Sequence, residues 1–394
     1  MPLRDDMKMI SIDDHVIEHP MVWQDRLSKK FKERGPMIIE SNEPDHDQYD
    51  HAIEGSHELW VFEGRRYPQF ALNAVVERDR KDLGLEPYRF DQILPGCYDP
   101  VERVKDMEID GIQAQLCFPS FPRFAGTLFL ESEDMELALA CVQAYNDFII
   151  DEWCGTAPDR LIPMVILPLW DPQLAATEIY RTAAKGAKAI TFPETTTTLG
   201  LPSFHTDHWN PVFGGAAETG MPLCLHFGSS GRPPSTGDDA PITVWISTMG
   251  TNSMLATADL LFSPVFHNFP DLKVALAEGG IGWMPYILER IDYVWERHKY
   301  YSGINQEVRP SDLFRKNMWG CFIDDEAGIR ERYTIGIDRI TWECDYPHSD
   351  SNWPNSRKRA AEMFAEVPDD EVRQIVELNA RKLLNFDADL VVPN

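Results

Sequence analysis

Histidines and carboxylates fall at the ends of apolar runs in this chain, a pattern that points to metal chemistry. Asp13 and His15 stand two residues apart in Ser11-Ile12-Asp13-Asp14-His15-Val16-Ile17-Glu18. On a strand they project from one face, and Glu18, just past its end, can turn back into the same space. His226 closes the apolar run 222–226, Glu278 closes 273–277, and Asp345-Tyr346-Pro347-His348 follows 339–342. A charged group at the end of a buried strand is costly unless it is paired or bound to metal. Asp13 alone could be a loop cap, and His15 alone a hydrogen-bonded core histidine. Four strand ends of this kind at one rim define a site.

The ligand set is hard and mixed: His15, His226 and His348 with Asp13, Glu18, Glu278 and Asp345. Structural zinc favours cysteine ligands, whereas imidazole with carboxylate suits Fe, Mn or Zn. Seven such residues exceed the needs of one ion, and two ions about 3.5–4 Å apart would use them all. Glu278 or His348 is the candidate general acid/base. His205 and His208 lie in the loop after the fourth apolar run. His205 is a candidate substrate contact, and His208 reads better as a helix-terminal packing residue. Ser229-Ser230 lacks the G-x-S-x-G elbow of a serine nucleophile, so Ser229 is assigned to substrate binding. Arg123, in Phe121-Pro122-Arg123-Phe124, could hold a substrate carboxylate or phosphate, or be a surface arginine. Trp60, Phe62, Phe118, Phe121, Phe124 and Trp245 make the expected pocket apolar and aromatic. His19, His46, His51, His57, His267 and His298 are expected at the surface.

The elements that must position these groups are legible as eight apolar runs: 9–12, 112–118, 161–167, 187–192, 222–227, 273–277, 318–323 and 339–342. Pro, Gly or Asp bounds most of them, as in buried parallel strands. Amphipathic, helix-length segments such as 134–152, 173–184 and 211–219 lie between them. This alternation predicts a parallel α/β fold. Eight strands favour a closed (β/α)8 barrel. An open doubly wound sheet would need other support, and no G-x-G-x-x-G follows the first run. The chain of 394 residues exceeds the roughly 250 of a bare barrel, so the expectation is a single barrel domain over 1–394 carrying an insertion. That insertion, about 38–95, contains a hairpin around Glu63-Gly64 and lies on the loop side of the barrel, as a candidate lid or as a plain surface excursion. Asp369-Asp370-Glu371 start a C-terminal helix, where acidic groups suit the dipole.

A formal net charge of −27 opposes nucleic-acid binding, which needs a basic footprint, and opposes binding to anionic membranes. No stretch of roughly 18 apolar residues is present to span a membrane. The segment 1–9 has no signal-peptide pattern. Seven cysteines, an odd number without C-x-x-C spacing, read as reduced and buried. The expected location is cytoplasmic, and a homo-oligomer is compatible with all of this.

Taken together, Asp13-Asp14-His15-Val16-Ile17-Glu18, Leu225-His226-Phe227-Gly228, Phe269-Pro270-Asp271-Leu272-Lys273, Glu278-Gly279-Gly280-Ile281-Gly282-Trp283, Asp345-Tyr346-Pro347-His348 and Asn379-Ala380-Arg381 resemble the amidohydrolase superfamily. The group that resemblance reaches includes aminocarboxymuconate-semialdehyde decarboxylase. The usual H-x-H, or a carboxylate in place of its first histidine, is matched here by Asp13 and His15. Glu278 stands where those enzymes carry a histidine. The carboxylate-rich variant is similar to the dinuclear non-heme iron monooxygenases of platensimycin and platencin biosynthesis. That resemblance implies two Fe ions (or Mn/Fe), dioxygen as co-substrate, an external reductase or ferredoxin, and hydroxylation of an organic acid or its CoA thioester. The alternative is a metal-dependent hydrolase or non-oxidative decarboxylase, with Zn as the alternative metal.

Overall fold

The computed structural model describes residues 3–46, 52–231, 237 and 239–388. Its centre is a parallel sheet of strands Met9–Val16, Ile112–Pro119, Leu161–Ile162, Met164–Val165, Ala189–Thr191, Leu223–His226, Val274–Ala277, Met318–Phe322 and Ile340–Trp342. The two ends of the sheet's order are Leu161–Ile162, which pairs with Ile112–Pro119, and Met164–Val165, which pairs with Ala189–Thr191. Only Pro163 separates them, so they are two halves of one strand and the sheet closes into the expected eight-stranded barrel. Proline has no N–H to give to a ladder, which accounts for the break at that point.

Between the strands run Pro100–Asp110, Met135–Phe148, Pro172–Ala184, Asn210–Thr219 and Met284–His298, the helices of the outer ring. Several start on an aspartate whose side chain accepts backbone N–H groups, as Asp99, Asp134 and Asp171 do. Such caps satisfy donors that the first helical turn cannot. The C-terminal segment is helical from Asp369 to Leu384, with a π-turn at Gln374–Leu378.

The connection after the first strand carries a three-stranded antiparallel sheet, Met37–Ser41, His57–Phe62 and Arg65–Pro68. Its hairpin turns at Glu63 and Gly64, both with positive φ (48° and 77°), as a two-residue hairpin turn demands. Of the histidines expected at the surface, His57 is buried at the start of its strand, its Nδ1 2.8 Å from the Gly55 carbonyl. His51 lies outside the described residues. All seven cysteines are free and buried. Among the described residues no helix is long and apolar enough to cross a membrane.

Candidate metal centre and its pocket

Strand register gathers the site. Leu223 to His226 pair with Val274 to Ala277, so Glu278 begins one residue beyond the ladder that ends at His226. The first and eighth strands are stitched past their ends: Asp345 N–H donates to the Asp13 carbonyl at 2.9 Å and His15 N–H to that of Tyr346 at 2.7 Å. Asp14, on the opposite face from Asp13, accepts from Gln115 Nε2 (2.9 Å) and Tyr346 N (3.1 Å). Arg103 donates to the His15 carbonyl at 2.6 Å and to that of Gly96 at 2.7 Å, locking the strand end from behind. Glu278 and Asp345 both take left-handed backbone conformations, φ 52° and 59°. A non-glycine residue there costs about 1–3 kcal/mol, and such strain concentrates at functional sites.

Asp13, His15, His226 and Asp345 converge, all fully buried. His15 Nε2 lies 3.4 Å from Asp13 Oδ1, 3.4 Å from Asp345 Oδ1 and 3.2 Å from His226 Nε2. His226 Nε2 is 3.5 Å from Asp13 Oδ2 and 3.2 Å from Glu278 Oε2. His348 stacks on His15 with centroids 3.6 Å apart, and its Nδ1 is 2.9 Å from Asp345 Oδ1. His226 Nδ1 donates to the Phe227 carbonyl at 2.6 Å. A carbonyl only accepts, so the hydrogen is on Nδ1 and the Nε2 lone pair faces the cluster, the usual way a ligating histidine is oriented.

Both oxygens of Asp13 and of Asp345, with His348 Nε2, are buried without a hydrogen-bond partner. Burial above all, then neighbouring carboxylates, pushes Asp13, Asp345 and Glu278 well above the usual carboxylate range. Burial likewise drives His226 and His348 down to about 3. Buried carboxylate oxygens and imidazole nitrogens gathered around one point suit a cation at their focus. Ligand atoms of Asp13, His15 and His226, and of His15, Asp345 and His348, each lie within 4.8 Å of one another. The residues therefore fit a divalent metal ion.

Glu278 keeps 11% of its side chain accessible, where Asp13, His15 and His226 keep none. It lines a pocket with Asp345, His348 and Asp350 whose other walls are largely apolar, among them Phe124, Phe227, Trp245 and Met249. Phe124 and Phe118 pack on the His226 ring at 4.1 and 4.8 Å.

Four expected site residues sit elsewhere. Glu18 spends its two carboxylate oxygens on the N–H groups of Ser120 and Phe121, at 2.9 and 2.8 Å, and neither group of convergent ligand atoms includes it. It ties the loop after the first strand to the loop after the second. Arg123 is paired with Glu131 at 2.6 Å and faces a different cavity. Ser229 is buried, and its Oγ accepts the Glu194 N–H at 3.1 Å. His205 is on the surface, 2.6 Å from Asp259. Sequence reasoning missed Glu194 and Glu343. Glu194 is buried and accepts from Gly228 N (3.0 Å) and Asn252 Nδ2 (3.2 Å), clamping the turn that follows His226. Glu343 accepts the Glu278 N–H at 3.1 Å and hydrogen-bonds the Cys321 thiol. Each follows a barrel strand closely, the signal that found their neighbours.

The histidine–carboxylate cluster lies at the C-terminal ends of the strands of a (β/α)8 barrel, the face on which enzymes of this fold carry their active sites. The sequence profile described as amidohydrolase matches residues 87–386, and the chain is a member of that family. It is 22% identical over 378 residues to a 2-amino-3-carboxymuconate-6-semialdehyde decarboxylase from Caenorhabditis elegans, covering 82% of this chain and 91% of that one. It is 25% identical over 305 residues to a gamma-resorcylate decarboxylase from a Rhizobium strain, covering 72% and 86%. Among solved structures, an amidohydrolase from Mycobacterium avium subsp. paratuberculosis superposes with a TM-score of 0.70 at 20% identity over 96% of this chain and 99% of that one. A 5-carboxyvanillate decarboxylase from Novosphingobium aromaticivorans, complexed with manganese and 4-hydroxy-3-methoxy-5-nitrobenzoic acid, gives 0.63 at 18% identity over 97% of each chain. These relatives overturn the monooxygenase reading, and with it the oxidoreductase chemistry, dioxygen, the reductase or ferredoxin and the CoA thioester. The expected two Fe ions have no support in these relatives either, whereas manganese is present in a solved one.

Proposed function

We propose that this chain is a metal-dependent, non-oxidative decarboxylase of a small aromatic or unsaturated acid. The observation that carries the reading is the convergence of Asp13, His15, His226 and Asp345 beneath an apolar pocket, with Glu278 at its rim. The decarboxylase relatives support it. One divalent ion, manganese, would be held by those four residues, with His348 beside Asp345. When bound it supplies the positive charge that holds the substrate carboxylate and steadies charge developing as the C–C bond breaks.

The chain's own groups do the rest. Phe124, Phe227, Trp245 and Met249 receive the ring and exclude water. The carboxylate leaves as carbon dioxide, and the pair of the broken C–C bond stays on the ring carbon. That carbon needs a proton, and Glu278 is placed to deliver it from the pocket side and recover one from solvent. No electrons are lost, so neither dioxygen nor a reductant is consumed. The insertion after the first strand contributes Phe70, Leu72 and Asn73 to the pocket wall, in keeping with a covering role.

Manganese-loaded protein incubated with hydroxybenzoic acids under argon tests the proposal. The expected result is one ion per chain and carbon dioxide release at the same rate with and without air. Two Fe per chain, or turnover that stops without dioxygen, would overturn it.

A further inference from the structure

A second cavity, of about 240 Å³, lies between the insertion's sheet and the loop after the second barrel strand. Phe70 and Asn73 wall both this cavity and the metal-site pocket. The loop after the second strand also serves both, with Phe121 and Arg123 facing the second cavity and Phe124 the first. The two spaces are therefore built back to back on the same two segments. Arg123 holds a left-handed conformation (φ 60°) in that loop, a strained backbone of the kind kept where position matters.

The lining shows what the second cavity would take. Its flat walls are aromatic: Trp60 and Phe121 stack at 4.5 Å, with Tyr88 alongside. Its arginines are already opposed, Arg66 by Asp45 at 2.6 Å and Arg123 by Glu131 at 2.6 Å. An anionic ligand gains little from cations whose charge is already balanced. Two lining residues instead hold unpartnered buried oxygens, Gln69 Oε1 and Ser120 Oγ, and Gln69 is only 5% exposed. A buried carbonyl acceptor without a donor is costly, and a ligand hydroxyl or amide N–H relieves that cost.

We infer that this cavity is a substrate subsite for an uncharged arm bearing a hydroxyl or amide. The acid decarboxylated at the metal site is then an extended molecule, with its carboxylated ring in one pocket and its polar arm in the other. This rests on the decarboxylase reading above.

The test compares 2-hydroxybenzoate with three derivatives carrying a 2-hydroxyethyl arm at ring position 3, 4 or 5, and three carrying a carboxyethyl arm instead. Binding to the manganese-loaded protein is measured by calorimetry, and carbon dioxide release is measured separately. At least one hydroxyethyl acid is expected to bind about five-fold or more tighter than the parent, the yield of one net hydrogen bond. Gln69→Leu, with Ser120→Ala as the second variant, is expected to bring that ratio towards one. A ratio near one in the unaltered protein, a preference for the carboxyethyl arm, or a ratio unchanged in both variants overturns the subsite. If the ratio behaves as expected but no acid releases carbon dioxide, the decarboxylase reading fails and the subsite stands.

Discussion

In the proposed decarboxylation Glu278 is the proton donor. Its side chain keeps 11% of its surface accessible where those of Asp13 and Asp345 keep none, and it lies 3.2 Å from His226 Nε2. Replacing it with Gln keeps the shape and removes the transferable proton. We expect kcat to fall by about 10²–10⁴-fold while manganese content stays near one ion per chain. Near-normal turnover in Glu278→Gln would place the proton source elsewhere. Glu194 acts differently, through stability. Burial raises its pKa to about 8. Between the ordinary carboxylate range and that value the folded chain holds a proton that the unfolded chain has released, so stability falls as pH rises through this window. The slope reaches about 1.4 kcal/mol per pH unit for one group. Glu18, raised to about 7 by its own burial, adds to the fall at lower pH. The comparison with Glu194→Gln is therefore read between about pH 7 and 8. Thermal melts should show a flatter pH dependence there in the variant, and parallel curves would refute the assignment.

At the scale of elements, the rim depends on stitching between strand ends. The first strand is held by the eighth through Asp13, His15, Asp345 and Tyr346, and from behind by Arg103. Arg103, on the helix Pro100–Asp110, also donates to Gln115 and lies 4.3 Å over the Tyr346 ring. Arg103→Met fills much of the same volume but leaves the carbonyls of His15 and Gly96 without their donor. The expected cost is about 2–4 kcal/mol in chemical denaturation, from buried acceptors left unpaired. A weaker hold on manganese should accompany it, because His15 loses its anchor. A variant as stable as the parent, with unchanged metal affinity, would show that the helix is not what fixes the strand end.

At the scale of the molecule, an ion held by the buried cluster would make stability and metal loading one equilibrium. Chelator-stripped protein should melt at a lower temperature, since the oxygens of Asp13 and Asp345 are left buried without partners. Adding manganese at about a thousand times its dissociation constant should return about 4 kcal/mol. Differential scanning calorimetry across a manganese titration reads this directly. A melting temperature indifferent to chelation would mean that the cluster holds no ion.

The barrel was legible because its signals are local. Eight apolar runs alternating with amphipathic segments survive without any knowledge of contacts, as does the Glu63-Gly64 turn that makes the hairpin. The period of a strand also puts Asp13 and His15 on one face. Tertiary structure decided which polar residues at that rim meet. Glu18 is three residues from His15, yet it turns to the N–H groups of the neighbouring loop. Arg123 and His205 have partners, Glu131 and Asp259, that no spacing announces. Glu194 and Glu343 carry the same strand-end signal as the residues of the cluster, and only the tertiary structure shows that they hold the turn after His226 and the backbone of Glu278. Residue type and period set which face a side chain leaves from. Its partner is set by how neighbouring loops close over the strand ends, through contacts between residues far apart in the chain.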